Sequence, residues 1–495
     1  MSKKNLKKMN ENILELEPKI IWKNFRELTL IPRPSKHEGK ITDFLKKFGD
    51  KYADKSYFDK AGNVVYFKHA TPGMENREPI VLQAHCDMVP QKDSNKKHDF
   101  LSDPITTLVK DGFVCADGTT LGADDGMGVA AIMSVFEDNT LEHPDIEALI
   151  TIDEETGLTG ANGVEENELH GKILLNLDSE EDNIFYIGCA GGVNIHISKK
   201  LDYEELNTNN YQKLKVKIIG LNGGHSGGDI HKNRPNATKV LFRFLSGINF
   251  IKISTFCGGN MHNAIPREAE AEIFVQKSDL EQLNKAVKDF QKEIIDTECG
   301  KSDPDGKILV ENLNCENNEK VLTQECFKNV KVMINTIISG VFAMSADMEG
   351  LVETSNNLSI TEVKDGELQI LSFLRSSVKT QSDYLKNIIK DLTEYLGATC
   401  KFSDEYPGWK ANPDSKILSQ AEKIYERLFN EKPIVKAIHA GLECGIITDK
   451  HPGMEAISLG PTMYSVHTPT ERVEIKSVAK FYKLISEILK NSPLK

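Results

Sequence analysis

Along residues 17–180 the apolar positions switch between two periods. Short apolar runs predict β-strands, and these are VVYF, PIVLQAHCD, EALITI and KILLNLD. Between them, MGVAAIMSVFEDN and ITDFLKKFGDKYA place apolar residues on one helical face. Strands that alternate with helices are typical of an α/β domain, in which helices cover both faces of a mostly parallel sheet. We therefore predict this fold class for the first part of the chain.

The pattern changes at about residue 189 and stays different to about residue 403. The runs KLKVKIIG, EAEAEIFVQ and ELQILSFLRS predict strands, and two long amphipathic helices accompany them. Each helix follows a strand and a Ser-Asp pair suited to capping, Ser278-Asp279 and Ser382-Asp383. We interpret this as a duplicated β/α unit within an α+β region, with chance periodicity as the alternative.

After YPGWKANPDSK the first pattern returns, with the helix SKILSQAEKIYERLF, the strand EAISLG and a closing helix. We therefore predict a domain built from both ends of the chain, residues 1–188 and 404–495. Residues 189–403 would form a second domain inserted into it. A length of 495 residues agrees with two domains, because one hydrophobic core rarely extends over so long a chain.

Charge and cysteine content narrow the class of protein. The chain has 61 basic and 74 acidic residues, a net charge of −13, which argues against nucleic acid or an anionic membrane as its main partner. Nine cysteines are scattered without CxxC pairs, so neither a disulfide framework nor a cysteine zinc site is expected. No apolar segment reads as a secretion signal or a membrane span. We expect a cytoplasmic protein with a small-molecule partner.

Candidate chemistry begins in VLQAHCDMVP. Residues two apart in a strand share a face, so His85 and Asp87 point the same way. They lie at the carboxyl end of the strand, where α/β sheets usually bind ligands. A structural hydrogen-bonded pair is the alternative interpretation of such a short motif.

Further acidic and imidazole groups follow strands or turns at the same predicted edge. They are Asp124 and Asp125 in GADDG, Glu154 and Glu155 after EALITID, Asp178 after KILLNL and His467 in MYSVHTPT. Singly, each has an ordinary explanation: a helix cap, a solvated acidic loop or a surface histidine. Together, the acids could not crowd at one edge without countercharge, which two divalent cations would supply. These ligand types suit zinc, manganese or cobalt, and an aspartate bridges ions about 3.5–4 Å apart.

The order of the motifs HxD, GADDG, DEE, LxxLD, GGHSGGDI, HNAIPRE and a late histidine has a known counterpart. The chain resembles the aminoacyl-histidine dipeptidases, also described as Xaa-His or cytosolic nonspecific dipeptidases, within the clan of dinuclear-zinc exopeptidases and aminoacylases. The resemblance runs from IPRPSKHEGK to the C-terminal helix. It implies a zinc-exopeptidase-like sheet domain and an inserted lid or dimerisation domain.

The resemblance also implies a role for each candidate of the metal centre. His85 and Asp178 would bind one metal ion, Glu155 and His467 the other, and Asp124 would bridge both. Asp87 would orient His85, and Glu154 would be the general base. The choice of Asp124 over Asp125 rests on the GAD pattern, because the spacing permits either.

Four residues would act on the substrate by the same resemblance. His225 in GGHSGG would stabilise the oxyanion, with a simple turn histidine as the alternative, and Asn263 would place an amide near the substrate. Arg375 would clamp a substrate carboxylate, unless it is a surface arginine, and Glu443 would bind the α-ammonium group. Arg33 in IPRPSKHE and Arg234 in NRPNA stand in motif-like surroundings without a predicted role.

The expected activity is hydrolysis of unblocked dipeptides, including Xaa-His substrates such as carnosine, with broad specificity. A metal-bridged hydroxide would attack the peptide carbonyl while Glu154 moves protons. The resemblance favours two zinc ions, with manganese or cobalt as alternatives, and a homodimer in which His225 acts in cis or in trans. It also implies closure of the inserted domain during turnover. The alternatives are a tripeptide aminopeptidase, an N-acyl-amino-acid deacylase and an inactive metal-binding scaffold.

Overall fold

A computed structural model describes residues 11–166 and 168–495 of the chain. These residues form two compact units. The first unit comprises the described residues up to Cys189 together with Trp409–Ala437 and Leu442–Lys495. The second comprises Ala190–Gly408 and Ile438–Gly441. The first unit is therefore built from both ends of the chain, and the chain returns briefly to the second unit near residue 440.

The elements up to Cys189 all belong to the first unit. After a 3₁₀ helix at Glu11–Glu15, the helices are α1 Lys19–Thr29, α2 Gly39–Tyr52, α3 Ala123–Glu137, α4 Glu154–Gly157 and α5 Thr159–Gly163. The strands are β1 Lys55–Phe58, β2 Val64–Lys68, β3 Ile80–His85, β4 Thr107–Lys110, β5 Phe113–Ala116, β6 Ile146–Thr151, β7 Ile173–Asn176 and β8 Ile184–Cys189.

The middle of the chain supplies the second unit. Its strands are β9 Gly191–Lys200, β10 Tyr203–Asn207, β11 Tyr211–Ile219, β12 Gly224–His225, β13 Ile251–Gly258, β14 Ala264–Ile265, β15 Ala269–Gln276, β16 Lys307–Asn312, β17 Asn318–Leu322, β18 Gly340–Met344, β19 Val352–Lys364, β20 Glu367–Ser376 and β21 Thr399–Tyr406. Its α-helices are α6 Ala237–Ser246, α7 Leu280–Phe290, α8 Gln324–Thr336 and α9 Lys379–Tyr395, and a π-helix at Gln291–Cys299 extends α7.

The last part of the chain returns to the first unit. Its helices are α10 Lys416–Phe429, α11 Glu443–Lys450 and α12 Ile475–Lys490, and its strands are β22 Ile434–Ile438, β23 Glu455–Ser458, β24 Met463–Tyr464 and β25 Arg472–Glu474. Helix α12 buries the apolar face that its sequence predicts, with Val478, Phe481, Ile485 and Ile488 all inaccessible or nearly so. Among the described residues, no helix combines the length and the apolar character needed to cross a membrane.

The main sheet of the first unit has the order β1-β2-β6-β3-β7-β23-β8-β22. Its central strands β6, β3, β7 and β23 run parallel, while β1, β2 and β8 pair antiparallel at the flanks. Every residue of β3, β6 and β7 is buried, which requires cover on both faces of the sheet. The predicted α/β class is confirmed, and the parallel part of the sheet lies where the candidate residues are.

The main sheet of the second unit contains a duplication. Apart from the two-residue strands β12 and β14, strand β11, helix α6, strands β13 and β15, helix α7 and strand β16 follow one another as βαββαβ. Strand β9, helix α8, strands β19 and β20, helix α9 and strand β21 repeat that order. The sheet order β16-β11-β15-β13-β19-β20-β9-β21 places the copies edge to edge, joined where β13 pairs β19 antiparallel. The first copy is inserted inside the second, between β9 and α8.

One hydrophobic core extends across both copies. Leu214, Val216 and Ile273 come from the first copy, and Ile195 and Leu374 come from the second. The shared core explains why the copies form one unit.

The two helix caps predicted in this unit have different outcomes. Asp279 stands at the cap position of α7, yet its side chain makes no capping hydrogen bond. The prediction for Ser382 and Asp383 is wrong, because α9 begins at Lys379 and contains both residues. Asp383 instead pairs with Lys379 one turn earlier, at 2.9 Å, and with Lys386 at 2.8 Å.

Candidate active site

His85 ends strand β3 and is buried, with 1% of its surface exposed. Oδ1 of Asp87 lies 3.2 Å from Nδ1 of this ring, as their shared strand face predicts. The Asp87 carboxylate also accepts the backbone N–H groups of Glu154 at 3.1 Å and Glu155 at 3.3 Å. Asp87 therefore connects the end of β3 to the turn that carries the two glutamates.

Asp124 lies between two histidines that are far apart in the sequence. Its Oδ1 is 3.1 Å from Nε2 of His85, and its Oδ2 is 3.0 Å from Nε2 of His467. Asp125 points elsewhere: its carboxylate accepts the backbone N–H groups of His85 at 3.3 Å and Gly128 at 3.0 Å. The geometry thus distinguishes two aspartates that the spacing alone left equivalent, and it agrees with the choice of Asp124 that the resemblance implied.

The remaining ligand candidates join the same cluster. Glu155 Oε2 is 3.0 Å from Nε2 of His467, and Asp178 Oδ1 is 3.5 Å from Nε2 of His85. His85, Asp124 and Glu155 each present one atom within 4.8 Å of the others'. The cluster therefore consists of two imidazole–carboxylate groups that share the carboxylate of Asp124.

Each acid of the Asp153-Glu154-Glu155 run has its own surroundings. Asp153 has a positive φ of 51° and accepts hydrogen bonds from the hydroxyls of Thr156 and Thr159, which close the turn. Glu155 faces His467. Burial raises the pKa of Glu154 well above its usual range, and the charges of Asp178 and Glu443 raise it further. The turn thus directs Asp153 and Glu155 to different partners, while the charge of Glu155 also contributes to the raised pKa of Glu154.

Negative charge exceeds positive charge in this cluster. Burial raises the pKa of Asp178 to about 7, and the neighbouring carboxylates add to that shift. Hydrogen bonds with Asp124 and Glu155 raise the pKa of His467 to about 11. Although burial opposes a charged ring, Asp178, Asp124 and Asp87 raise the pKa of His85 well above its usual value. The excess negative charge has to be neutralised, and either protons on the histidines or divalent cations would supply the positive charge.

The donor set fits divalent cations. Carboxylate oxygens and neutral imidazoles are ligands for zinc, manganese and cobalt. Oε1 of Glu155 is buried and has no hydrogen-bond partner among the described residues. A buried carboxylate oxygen without a partner is costly, and coordination to a cation would satisfy it.

Glu443 begins helix α11 and is fully buried in the first unit. Its Oε2 accepts hydrogen bonds from the Gln83 amide and from the Thr151 hydroxyl at 2.7 Å. Its Oε1 is buried without a partner among the described residues. Burial raises the pKa of Glu443 to about 7. The side chain is held on one oxygen and leaves the other for a further donor.

In the second unit, the turn after β12 sets the protonation of His225. Its Nδ1 accepts the backbone N–H groups of Gly227 at 3.2 Å and Gly228 at 3.0 Å. Burial and the charge of Arg375 lower the pKa of His225, so the neutral ring is favoured. A nitrogen that accepts two N–H groups cannot carry a proton, and the proton of the neutral ring therefore lies on Nε2. His225 is thus arranged as a hydrogen-bond donor.

Asn263 contacts that turn through its backbone carbonyl, which accepts the N–H of Ser226 at 2.8 Å. The next residue, Ala264, pairs with His225 where β12 and β14 meet. Arg375 near the end of β20 is only 4% exposed, so it is not a surface arginine. Its guanidinium carbon lies 4.5 Å from the centre of the Phe373 ring. The first copy of the repeat therefore supplies His225 and Asn263, and the second supplies Arg375.

His439 completes the cluster of the second unit and was not predicted. Its Nε2 lies 2.7 Å from the Ser355 hydroxyl, and burial together with the Arg375 charge lowers its pKa to about 3. A Cβ built on Gly227 would lie 2.2 Å from the His439 carbonyl and 3.2 Å from Nε of Arg375. The glycine allows the His225 turn to pack directly on both residues. The signal that could have revealed His439 is its place in HAGLECGI.

The whole chain is similar to known hydrolases. The profile of the peptidase family M20/M25/M40 matches residues 81–491. The cytosol non-specific dipeptidase of Escherichia coli strain K12 is 37% identical over 484 residues, 97% of this chain and 99% of that protein. The crystal structure of an aminoacylhistidine dipeptidase from Vibrio alginolyticus covers 98% of this chain and 100% of its own, with a TM-score of 0.93 and 36% identity. An aminopeptidase PepT from Bacillus cereus shares only the fold, with a TM-score of 0.56, 16% identity and coverage of 96% and 98%.

Proposed function

The chain belongs to the peptidase family M20/M25/M40, and we propose that it is a dinuclear metallo-dipeptidase that hydrolyses unblocked dipeptides, Xaa-His peptides among them. The family match confirms two predictions from the sequence. The protein is a hydrolase that acts on peptide bonds, and it resembles the aminoacyl-histidine dipeptidases. Small peptides are accordingly its substrates. The names of the two similar dipeptidases favour the dipeptide class over the tripeptide and N-acyl alternatives.

The observation that carries the proposal is the position of Asp124 between His85 and His467. Its two carboxylate oxygens face different imidazoles at 3.1 and 3.0 Å. His85 and Asp178 would hold one cation, Glu155 and His467 the other, and Asp124 both. Zinc is the proposed metal, with manganese or cobalt as alternatives that suit the same ligands.

Two divalent cations held by these residues would promote deprotonation of a water molecule and polarise the peptide carbonyl. Glu154 would accept the proton of that water and later deliver it to the leaving amine. Its burial supports this role, because a carboxylate with a raised pKa accepts a proton more readily near neutral pH. Asp87 would keep the His85 ring in one orientation through Nδ1.

Residues of the second unit would bind the substrate. His225 would donate its Nε2–H to the oxygen of the peptide carbonyl as negative charge develops there. Arg375 would bind the α-carboxylate, and Asn263 would contact the peptide backbone. In the first unit, the partnerless Oε1 of Glu443 would accept the α-ammonium group.

His225, Asn263 and Arg375 all belong to the second unit, and this unit would act on the metal centre either in cis or, in a homodimer, in trans. For both units to act on one substrate, the second has to close over the first during turnover and exclude water. The resemblance also supports a homodimer. The relative named a cytosol enzyme supports a cytoplasmic location, as do nine cysteines that are all free.

The test combines metal analysis with a substrate panel. Purified protein should hold two equivalents of a divalent transition metal and should hydrolyse free dipeptides, β-Ala-His included. Tripeptides, N-acyl amino acids and N-blocked dipeptides should be poor substrates. A preference for a tripeptide or an N-acyl amino acid would replace the proposal with the corresponding alternative. No peptidase activity after reconstitution with zinc, manganese or cobalt would favour the inactive scaffold.

A further inference from the structure

A buried carboxylate outside the predicted site holds the loop that carries Asp124. Glu471 is 2% exposed. Its Oε2 accepts the backbone N–H groups of Leu121 at 2.7 Å and Gly122 at 3.0 Å, and its Oε1 accepts those of Ala123 at 2.7 Å and Asp124 at 3.4 Å. Four consecutive peptide groups are thus bound to one side chain. This arrangement determines the path of the backbone up to the shared ligand.

Glu471 also belongs to the loop that carries His467. Its own N–H donates to the Thr468 carbonyl at 3.1 Å, so the segment from His467 to Glu471 forms a compact turn between β24 and β25. One side chain thereby links the backbone of Asp124 with the backbone of His467. These two ligand candidates face each other at 3.0 Å.

A buried guanidinium holds the same loop from another direction. Arg33 is 2% exposed and donates to the Cys86 and Asp87 carbonyls, each at 3.0 Å, and to the Gly122 carbonyl. It thereby links the end of β3, which carries His85, with the loop that carries Asp124. A Cβ built on Gly122 would lie 2.6 Å from Nη2 of Arg33, and the φ of Gly122 is +70°. Two features therefore favour glycine at position 122: the close approach of Arg33 and the left-handed backbone conformation.

We propose that Arg33 and Glu471 are positioning residues that hold the three ligand-bearing loops at the separation two cations require. This inference rests on the proposed dinuclear function. Arg33 sets the His85 loop against the Asp124 loop, and Glu471 sets the Asp124 loop against the His467 loop. Neither side chain touches a cation or the substrate, so each acts through the ligands.

The physical reason is the cost of organising ligands at the moment of binding. Loops that lack such links have to lose backbone entropy when a cation arrives, and that loss weakens affinity. Removal of a residue that orients metal ligands typically lowers metal affinity by about 10-fold to 100-fold. Two buried charges of opposite sign are suited to this task, because each accepts or donates several hydrogen bonds at once.

The test uses variants that keep the charge and change the reach. Glu471→Asp shortens the side chain by one carbon, and Arg33→Lys replaces a forked donor with a point donor. Cobalt(II) titration of the metal-free full-length protein, followed by the visible absorption of the bound ion, measures affinity and ligand geometry. We expect both variants to weaken cobalt binding by about 10-fold to 100-fold. Glu471→Asp should weaken mainly the ion that is also lost in His467→Gln.

The matched control is Glu147→Asp. Glu147 is also a buried carboxylate of the first unit, 5% exposed, and accepts the N–H groups of His170 and Gly171, each at 2.8 Å. It lies at the amino end of β6, and the candidate ligands follow the carboxyl end. The control should lose thermal stability as Glu471→Asp does, yet bind cobalt as the wild type does.

Wild-type cobalt affinity and spectrum in both Glu471→Asp and Arg33→Lys would overturn the inference, whatever the variants lose in stability. If Glu471→Asp does not fold, Arg33→Lys alone decides between the outcomes, and Arg33→Gln serves as its stronger form. Fewer than two bound ions in the wild type would contradict the proposed function itself. Two ions in the wild type with unaffected variants would contradict only the positioning role.

Discussion

The two units bury ionisable groups of opposite kinds, mainly acids in the first and bases in the second, and burial disfavours the charged form of both. In the first unit, burial raises the pKa of Asp178 and Glu443, each to about 7, and the neighbouring carboxylates add to both shifts. In the second unit, burial lowers the pKa of Arg375, and burial together with the charge of Arg375 lowers the pKa of His439 to about 3. The cluster of the first unit is therefore suited to binding cations, and the cluster of the second unit is suited to binding anions.

The contrast indicates that the two clusters have different roles in peptide hydrolysis. A free dipeptide brings one carboxylate, and its carbonyl oxygen becomes negative as the bond is attacked. A cluster of His225, Arg375 and His439 is electrostatically suited to both. The acidic cluster suits metal cations and the α-ammonium group. Variants of the two clusters should therefore differ in kind: those of the first change metal content or proton transfer, and those of the second change substrate binding or stabilisation of the oxyanion while the metal content stays the same.

The largest effect is expected for Glu154→Gln. Loss of the proton acceptor should lower kcat by about 10²-fold to 10⁴-fold, while both metal ions stay bound. Steady-state kinetics and elemental analysis of the same preparation measure the two quantities. Glu155→Gln is the matched comparison, because it should lose an ion as well as activity. Near-normal turnover of Glu154→Gln would remove the general-base assignment.

His225→Ala should have the next largest effect. Loss of a donor to the developing oxyanion lowers kcat by about 10²-fold to 10³-fold in comparable sites. Metal content should remain at two ions, since the residue belongs to the second unit. His231→Ala, an exposed histidine of the same unit, should keep normal activity. Loss of metal from His225→Ala would contradict the division between the clusters.

Arg375→Lys should act on substrate binding. A lysine keeps the charge but not the two-pronged geometry, so KM for free dipeptides should rise by about 10-fold, or about 1.4 kcal/mol. Dipeptide amides, which lack the carboxylate, are the control substrate and should show a much smaller change. Equal losses for the acid and the amide would mean that Arg375 does not bind the α-carboxylate.

The smallest effect concerns stability rather than activity. A histidine whose folded-state pKa is about 3 stays neutral when the unfolded chain, with a pKa of about 6.5, becomes protonated. Stability is therefore lost as the pH falls below about 6.5, at up to about 1.4 kcal/mol per pH unit until about pH 3. His439→Gln should remove this contribution.

Urea unfolding midpoints at pH 7.0 and 5.5 measure that difference, with wild type and His439→Gln compared under identical metal loading. The variant should lose less stability than the wild type between the two pH values. An equal loss would show that burial of His439 does not affect the pH dependence.

Much of the first unit followed from periodicity, because strands buried on both faces are largely apolar. The predicted strand KILLNLD and helix ITDFLKKFGDKYA correspond to β7 and α2. The sequence pattern indicated a duplication in the second unit but not how its two copies are arranged. Sequence patterns show neither that one copy is inserted within the other nor that β13 pairs with β19, since both depend on contacts between distant segments. The capping prediction at Ser382 failed because α9 starts a turn earlier than its first apolar residues suggest.

The sequence by itself identified the ligand candidates, because acids and histidines that follow successive parallel strands gather at one sheet edge, and the order of its motifs showed the resemblance to the family. The resemblance favoured Asp124 over Asp125, and the tertiary structure supplied the geometric reason; the tertiary structure alone gave Arg33 a role and brought in Glu471 and His439. The physical reason is that hydrogen bonds and burial between residues far apart in the sequence leave no periodic mark on the chain. They arise only when the fold brings those backbone and side-chain groups within contact distance.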